Sequence, residues 1–212
     1  MRATAGQRPG LQAAVRVEWF TVGWMIVEAI VSIAAGLVAR SLLLTAFGLD
    51  SVIELITATI LLWRLRVESS GAATARVETA EHRAQWVTAS ALVLLCLYVL
   101  ATAVADLLGV TQSEGSIVGI LISLAAVVVM PWLAWTKRRL AKELGSEALR
   151  NDAASSLTCG YMAATVLVGV VLTTLFGWWW AEGVAALVFL VWLAQETREA
   201  IEEAREGTAE DE

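Results

Sequence analysis

The sequence predicts an all-α integral membrane protein, a six-helix bundle with both termini in the cytoplasm. Of its 212 residues, 58% are hydrophobic and 17% charged, and the mean hydropathy is +0.69, a balance that soluble domains do not show. The apolar residues fall in long runs instead of on alternating faces, as in helices surrounded by lipid. Fourteen of the fifteen basic residues fall on one side of the resulting topology, as the positive-inside rule requires.

The first run, 17–38, follows Arg2, Arg8 and Arg16. It is too long for the apolar core of a signal peptide and is interrupted by Glu28, so a retained helix is expected. Further runs cover 41–63, 86–108, 116–135 and 153–176. The sixth, 178–193, is the shortest, and its pattern continues through 195–205 as a polar helical extension. Six spans at roughly 20 residues each take up about 120 residues, which leaves no room for a large soluble domain. The turns after the first, third and fifth runs are short, whereas 64–85 and 137–152 are longer and polar. Arg64, Arg66, Arg76 and Arg83 lie in one of these, Lys137, Arg138, Arg139, Lys142 and Arg150 in the other, and only Arg40 falls on the opposite side. Trp63, Trp86, Trp135 and Trp192 would anchor the cytoplasmic boundary and Trp178 to Trp180 the outer one. The expected organisation is a cytoplasmic segment 1–16, a transmembrane domain 17–194 and an acidic cytoplasmic tail 195–212, in a multi-pass protein of the cell membrane, inner or plasma.

The net charge of -6 misleads if it is read for the whole chain. Residues 196–212 hold eight acids against Arg198 and Arg205, and the remainder is balanced at thirteen acids and thirteen bases. The acidity therefore belongs to the tail, and no basic surface suggests a nucleic-acid partner. The partner expected of the body is the lipid bilayer.

A carboxylate inside a membrane helix costs a few kcal/mol on insertion scales and is by default a functional group. Glu28, Asp50 and Glu54 are such groups. Asp50 and Glu54 are four apart, which stacks them on one helical face. Two acids so placed repel when ionised unless a cation sits between them, and a divalent metal or a proton would serve. Glu28 lies at comparable depth and is a possible third partner. On the fifth run, Asp152 marks the cytoplasmic mouth, and Ser155 and Cys159 follow, again four apart. Carboxylate and thiolate together suit zinc, cadmium or cobalt better than magnesium. Cys96, alone in its span, is read as a packing residue, and no disulfide framework is available. Asn151 and Asp152 are both good helix N-caps, so Asp152 doubles as a candidate cap and way-station. The single histidine, His82, stands four residues after Glu78 in a charged segment that is ordinarily just solvated. With no histidine in the bilayer there is no serine-histidine dyad, and no paired-aspartate protease motif is present, so the chain is not expected to be an enzyme.

An internal echo points the same way. Ser41, Leu44, Asp50 and Glu54 have the spacing of Ser146, Leu149, Ser155 and Cys159, on helices that run in opposite directions. An inverted repeat of this kind places both polar faces at the repeat interface, where transport sites lie.

Residues 41–54, SLLLTAFGLDSVIE, and 146–159, SEALRNDAASSLTC, resemble the second- and fifth-helix segments of the cation diffusion facilitator family of divalent metal transporters. Residues 177–187, GWWWAEGVAAL, are similar to the start of that family's sixth helix, with Glu182 where Asp is usual. The resemblance implies a metal site built from Asp50, Glu54, Ser155 and Cys159, with Asp152 at its mouth. Serine is a poor zinc ligand, so a water or Glu28 would complete it. It implies proton-coupled efflux of a zinc-like ion by alternating access, with the metal and protons as substrates, no further cofactor, and a homodimer. It further implies a short branch of the family without the C-terminal cytoplasmic domain. The alternative is a non-transporting metal sensor or partner subunit with a degenerate site, which Ser155 favours and the retained acids oppose.

Overall fold

The computed structural model describes residues 8–70, 75–110 and 113–210, and the side chains of these except 8–9, 68–84, 147, 203 and 206–210. The described residues form six helices and no strand: α1 Arg8–Ala39, α2 Leu42–Ser70, α3 Ala75–Leu107, α4 Ile117–Leu144, α5 Glu147–Phe176 and α6 Ala181–Glu210. They close into a ring in which α1 packs on α2 and α4, α4 on α5, α5 on α6, α6 on α3 and α3 on α2, while α2 also touches α5 across the middle. The bundle is turned inside out relative to a soluble protein. Val38, Leu94, Leu121 and Val128 point outward, while Glu18, Glu28, Asp50, Ser51 and Lys137 are buried, the arrangement expected where the surroundings are lipid.

Among the described residues, five helical segments are long and apolar enough to cross a membrane: Gly10–Ala39, Leu42–Val67, Gln85–Leu107, Ile117–Leu144 and Ala148–Phe176. The sixth expected span is a helix of the bundle, but its apolar part ends near Ala194 and the helix continues polar to Glu210. This is a multi-pass membrane protein. The helices are longer than the apolar runs because the polar flanks keep the helical period. The segment 137–152, expected as a long turn, is almost wholly helical. Gly145 ends α4 at φ 63 and ψ 31, the left-handed conformation in which glycine is free of Cβ strain. Ser146 then starts α5 by accepting from the Leu149 N–H at 3.3 Å. The cap is therefore Ser146, not Asp152 or Asn151.

Ser41 begins α2 in the same way, accepting from the Leu44 N–H at 3.1 Å. The two echoed segments thus enter the bundle from opposite ends through the same local bond. At one end Ser41 Oγ also donates to Glu182 Oε2 at 2.5 Å, and the Ser116 N–H donates to Thr174 Oγ1 at 2.9 Å. At the other end Leu11, Ala14, Leu61, Leu65, Leu140, Ala141 and Leu149 form a separate apolar cluster, and Arg66 lies 4.6 Å over the Trp19 ring. Trp178 and Trp180 stack at 5.4 Å beside the start of α6, consistent with a belt at a membrane boundary.

Small residues set the approach of α1 to α2. A Cβ at Gly48 would sit 2.8 Å from the Ile33 backbone nitrogen, and one at Gly36 would sit 2.7 Å from the Thr45 nitrogen, whereas Gly23 faces open space. Membrane helices associate through such close backbone contact. Gly48→Ala is expected to destabilise the protein by about 1–3 kcal/mol through overpacking, read as a lower unfolding temperature in detergent. Gly23→Ala should be neutral or stabilising by up to about 1 kcal/mol. Equal stability of the two variants would refute the close packing.

Candidate metal site

Near the middle of α2, one helical turn separates Asp50 from Glu54, and both face α5. Asp50 is 0% exposed, Glu54 6% and Cys159 0%. One ligand atom from each, a carboxylate oxygen from the two acids and Sγ from Cys159, lie within 4.8 Å of one another. Neither oxygen of Asp50 has a hydrogen-bond partner, nor does Glu54 Oε2. A buried polar atom left unpaired costs on the order of 1–3 kcal/mol, and more if it is charged. The cluster is therefore short of positive charge, and a divalent cation or protons would supply it. Two carboxylates and a thiol form a mixed oxygen and sulfur donor set of the kind that holds zinc, cobalt or cadmium.

Ser155 joins the cluster as a hydrogen-bond donor. Its hydroxyl lies 2.9 Å from Glu196 Oε1 and 3.3 Å from Glu54 Oε1. Glu28 borders the site without the same need for a cation. Its Oε2 accepts from Trp24 Nε1 at 2.5 Å, and its Oε1 accepts from Ser51 Oγ at 2.8 Å and faces Cys159 Sγ at 3.8 Å. A carboxylate so supplied with donors orients its neighbours, and here it holds the Cys159 thiol toward the cluster.

The model of the cation efflux transmembrane domain matches residues 20–206. The chain belongs to the cation efflux family. It is 27% identical over 173 residues to an uncharacterized transporter from Synechocystis sp., covering 75% of this chain and 56% of that protein. It is also 27% identical over 90 residues to the cation-efflux pump FieF of Shewanella oneidensis, covering 42% of this chain and 30% of the pump. The match thus spans about half the length of the first relative and less than a third of the second.

Within this cation efflux domain, Asp152 stands apart from the Asp50 cluster. Its Oδ2 is in close ion contact with Lys137 Nζ, which also lies 3.4 Å from Glu18 Oε1 and donates to Ser156 Oγ at 3.2 Å. Lys137 and Glu18 are both 0% exposed, so a fully buried lysine ties α1, α4 and α5 together. By sequence alone Lys137 reads as one more cytoplasmic base, Glu196 as the first acid of the acidic tail, and Glu18, inside the first apolar run, carries no assigned role. The signal for Glu196 was the inward stripe of α6, in which Phe189, Leu193, Thr197 and Ala204 are buried at helical spacing and Glu196 falls beside Thr197. Glu182 is buried at the end opposite the Lys137 cluster, bonded to Ser41. The side chains of Glu78 and His82 lie outside the described residues, although the backbone there belongs to α3.

Removing one partner of a buried ion pair leaves an uncompensated charge and costs about 3–5 kcal/mol, whereas replacing the whole set can be neutral. Lys137→Met is therefore expected to destabilise the protein by about that amount, measured by detergent unfolding. Adding Glu18→Gln to the same chain should recover part of the loss. A Lys137→Met protein as stable as the unsubstituted one would show that the triad does not hold the three helices.

Proposed function

We propose that this protein carries a divalent metal cation of the zinc type across the membrane, moving it out of the cytoplasm in exchange for protons by alternating access. As the family resemblance implies, it does so as a homodimer in the cell membrane. The observation that carries the reading is Asp50, fully buried with both oxygens unpartnered, beside Glu54 and Cys159. Membership of the cation efflux family supports transport as the use of that site. The donors themselves support proton exchange. Carboxylate and thiol ligands must be deprotonated to hold a metal, so loading with metal releases protons and protonation releases the metal. Zinc, cadmium and cobalt all suit an oxygen and sulfur donor set, with zinc the first expectation. Lys137, Glu18 and Asp152 tie α1, α4 and α5 together at the end of the bundle that carries most of the basic residues, and the Ser41 to Glu182 bond ties α2 to α6 at the other. A central site between two ends held by separate contacts supports a reading as alternating access.

The reading is tested with purified protein in liposomes under an imposed proton gradient, following zinc flux. Asp50→Asn and Glu54→Gln keep the side-chain shapes and remove the charge, and each is expected to lower flux at least about tenfold while the protein stays folded. Flux unchanged in both variants would remove the site from the transport path. Metal binding by the unsubstituted protein without flux of zinc, cadmium or cobalt would instead favour the sensor or partner-subunit reading, for which Ser155 at a ligand position is the motivating feature.

A further inference from the structure

Asp50, Glu54 and Cys159 provide three strong donors, and the fourth residue facing them from α2 and α5 is a serine, a poor ligand for a divalent metal. A tetrahedral ion held by three protein donors keeps an open position. The Ser155 hydroxyl sits between two carboxylates, 3.3 Å from Glu54 Oε1 and 2.9 Å from Glu196 Oε1. Glu196 Oε2 is buried without a hydrogen-bond partner, as are both oxygens of Asp50 and Oε2 of Glu54. The unsatisfied carboxylate oxygens thus come from three residues on two helices, α2 and α6, and two of these residues, Glu54 and Glu196, share one hydroxyl of α5.

We propose that Glu196 of α6 is a further ligand of the transported divalent cation, supplying the anionic donor that Ser155 does not. This rests on the reading of Asp50, Glu54 and Cys159 as the metal site. The donor set becomes three carboxylates and one thiolate, with Ser155 Oγ orienting two of the carboxylates. It also draws a third helix into the site. The residue after Glu196, Thr197, has its Oγ1 3.3 Å from Cys96 Sγ on α3, so an ion that pulls on Glu196 pulls on the contact between α6 and α3.

The test is a titration of the purified protein in detergent with cobalt(II) alone as probe, read by visible absorption. The thiolate-to-cobalt band reports Cys159, and the d–d bands report the number and geometry of the donors. Glu196→Gln is expected to weaken cobalt binding about tenfold or more, which corresponds to about 1.4 kcal/mol, and to change the d–d bands while the thiolate band remains. Glu196→Asp should fall between Glu196→Gln and the unsubstituted protein. Ser155→Asp added to Glu196→Gln should restore affinity, because it supplies from α5 a carboxylate in place of the one lost from α6. Glu199→Gln, an exposed neighbour on the same helix, should bind as the unsubstituted protein does. Affinity and spectra unchanged in both Glu196→Gln and Glu196→Asp would overturn the assignment, and a double variant no tighter than Glu196→Gln would overturn the equivalence with Ser155. If instead the unsubstituted protein shows no thiolate-to-cobalt band, the metal-site reading itself fails and this inference falls with it.

Discussion

Buried negative charge that the protein itself does not neutralise is the constraint around which the rest of the molecule is arranged. The acids of the bundle are treated in different ways. Glu28 receives an indole N–H and a hydroxyl. Glu18 and Asp152 share Lys137, and Glu182 receives the Ser41 hydroxyl. Asp50 receives nothing on either oxygen. A fold stable enough to hold such a group must either protonate it or bind a cation there, because an isolated carboxylate in a medium of low dielectric is too costly to keep. Lys137, Trp24, Ser51 and Ser41 serve the flanking acids and Ser155 reaches only Glu54 and Glu196, so Asp50 is left for an external cation or a proton.

Helix geometry explains why the central acids and the thiol meet. α2 has 29 residues and α5 has 30, each about 45 Å long at 1.5 Å per residue. Each starts at a serine cap, from opposite ends of the bundle. Glu54 and Cys159 stand at the same distance along the chain from Ser41 and Ser146, about 20 Å into the helix. Two antiparallel helices of nearly equal length, measured inward from equivalent caps, bring those positions to similar depth. The small residues between α1 and α2 let Glu28 and Ser51 reach one another, which keeps the donors around Cys159 in place.

Much of this could be read from the sequence because it depends on short range. The helices follow from apolar runs, and Asp50 with Glu54 follows from a single turn of helix. The mixed donor set followed from Cys159 being four residues after Ser155. What could not be read depends on partners far apart in the chain. Lys137 looks like one more cytoplasmic base until α1 and α5 bring Glu18 and Asp152 to it. Asp152 looks like a cap or a metal way-station until Ser146 takes the cap and Lys137 takes its charge. The polar segment 137–152 looks like a loop because hydropathy records lipid contact, whereas helix formation depends on backbone hydrogen bonds that polar side chains leave intact.

Glu196 shows where the boundary between membrane domain and acidic tail breaks down. By composition it is the first of the eight acids that give the chain its net charge. By helical period it sits on the face of α6 that carries Phe189, Leu193 and Thr197 inward, and its oxygen meets Ser155. Hydropathy averages over a window and assigns the whole window to one environment, but a helix has two faces that can differ at a single residue. The polar extension of α6 therefore leaves the apolar runs before it leaves the protein core. An acid at that crossing is neither a solvated tail residue nor a lipid-facing one, and its charge has to be counted with that of Asp50 and Glu54.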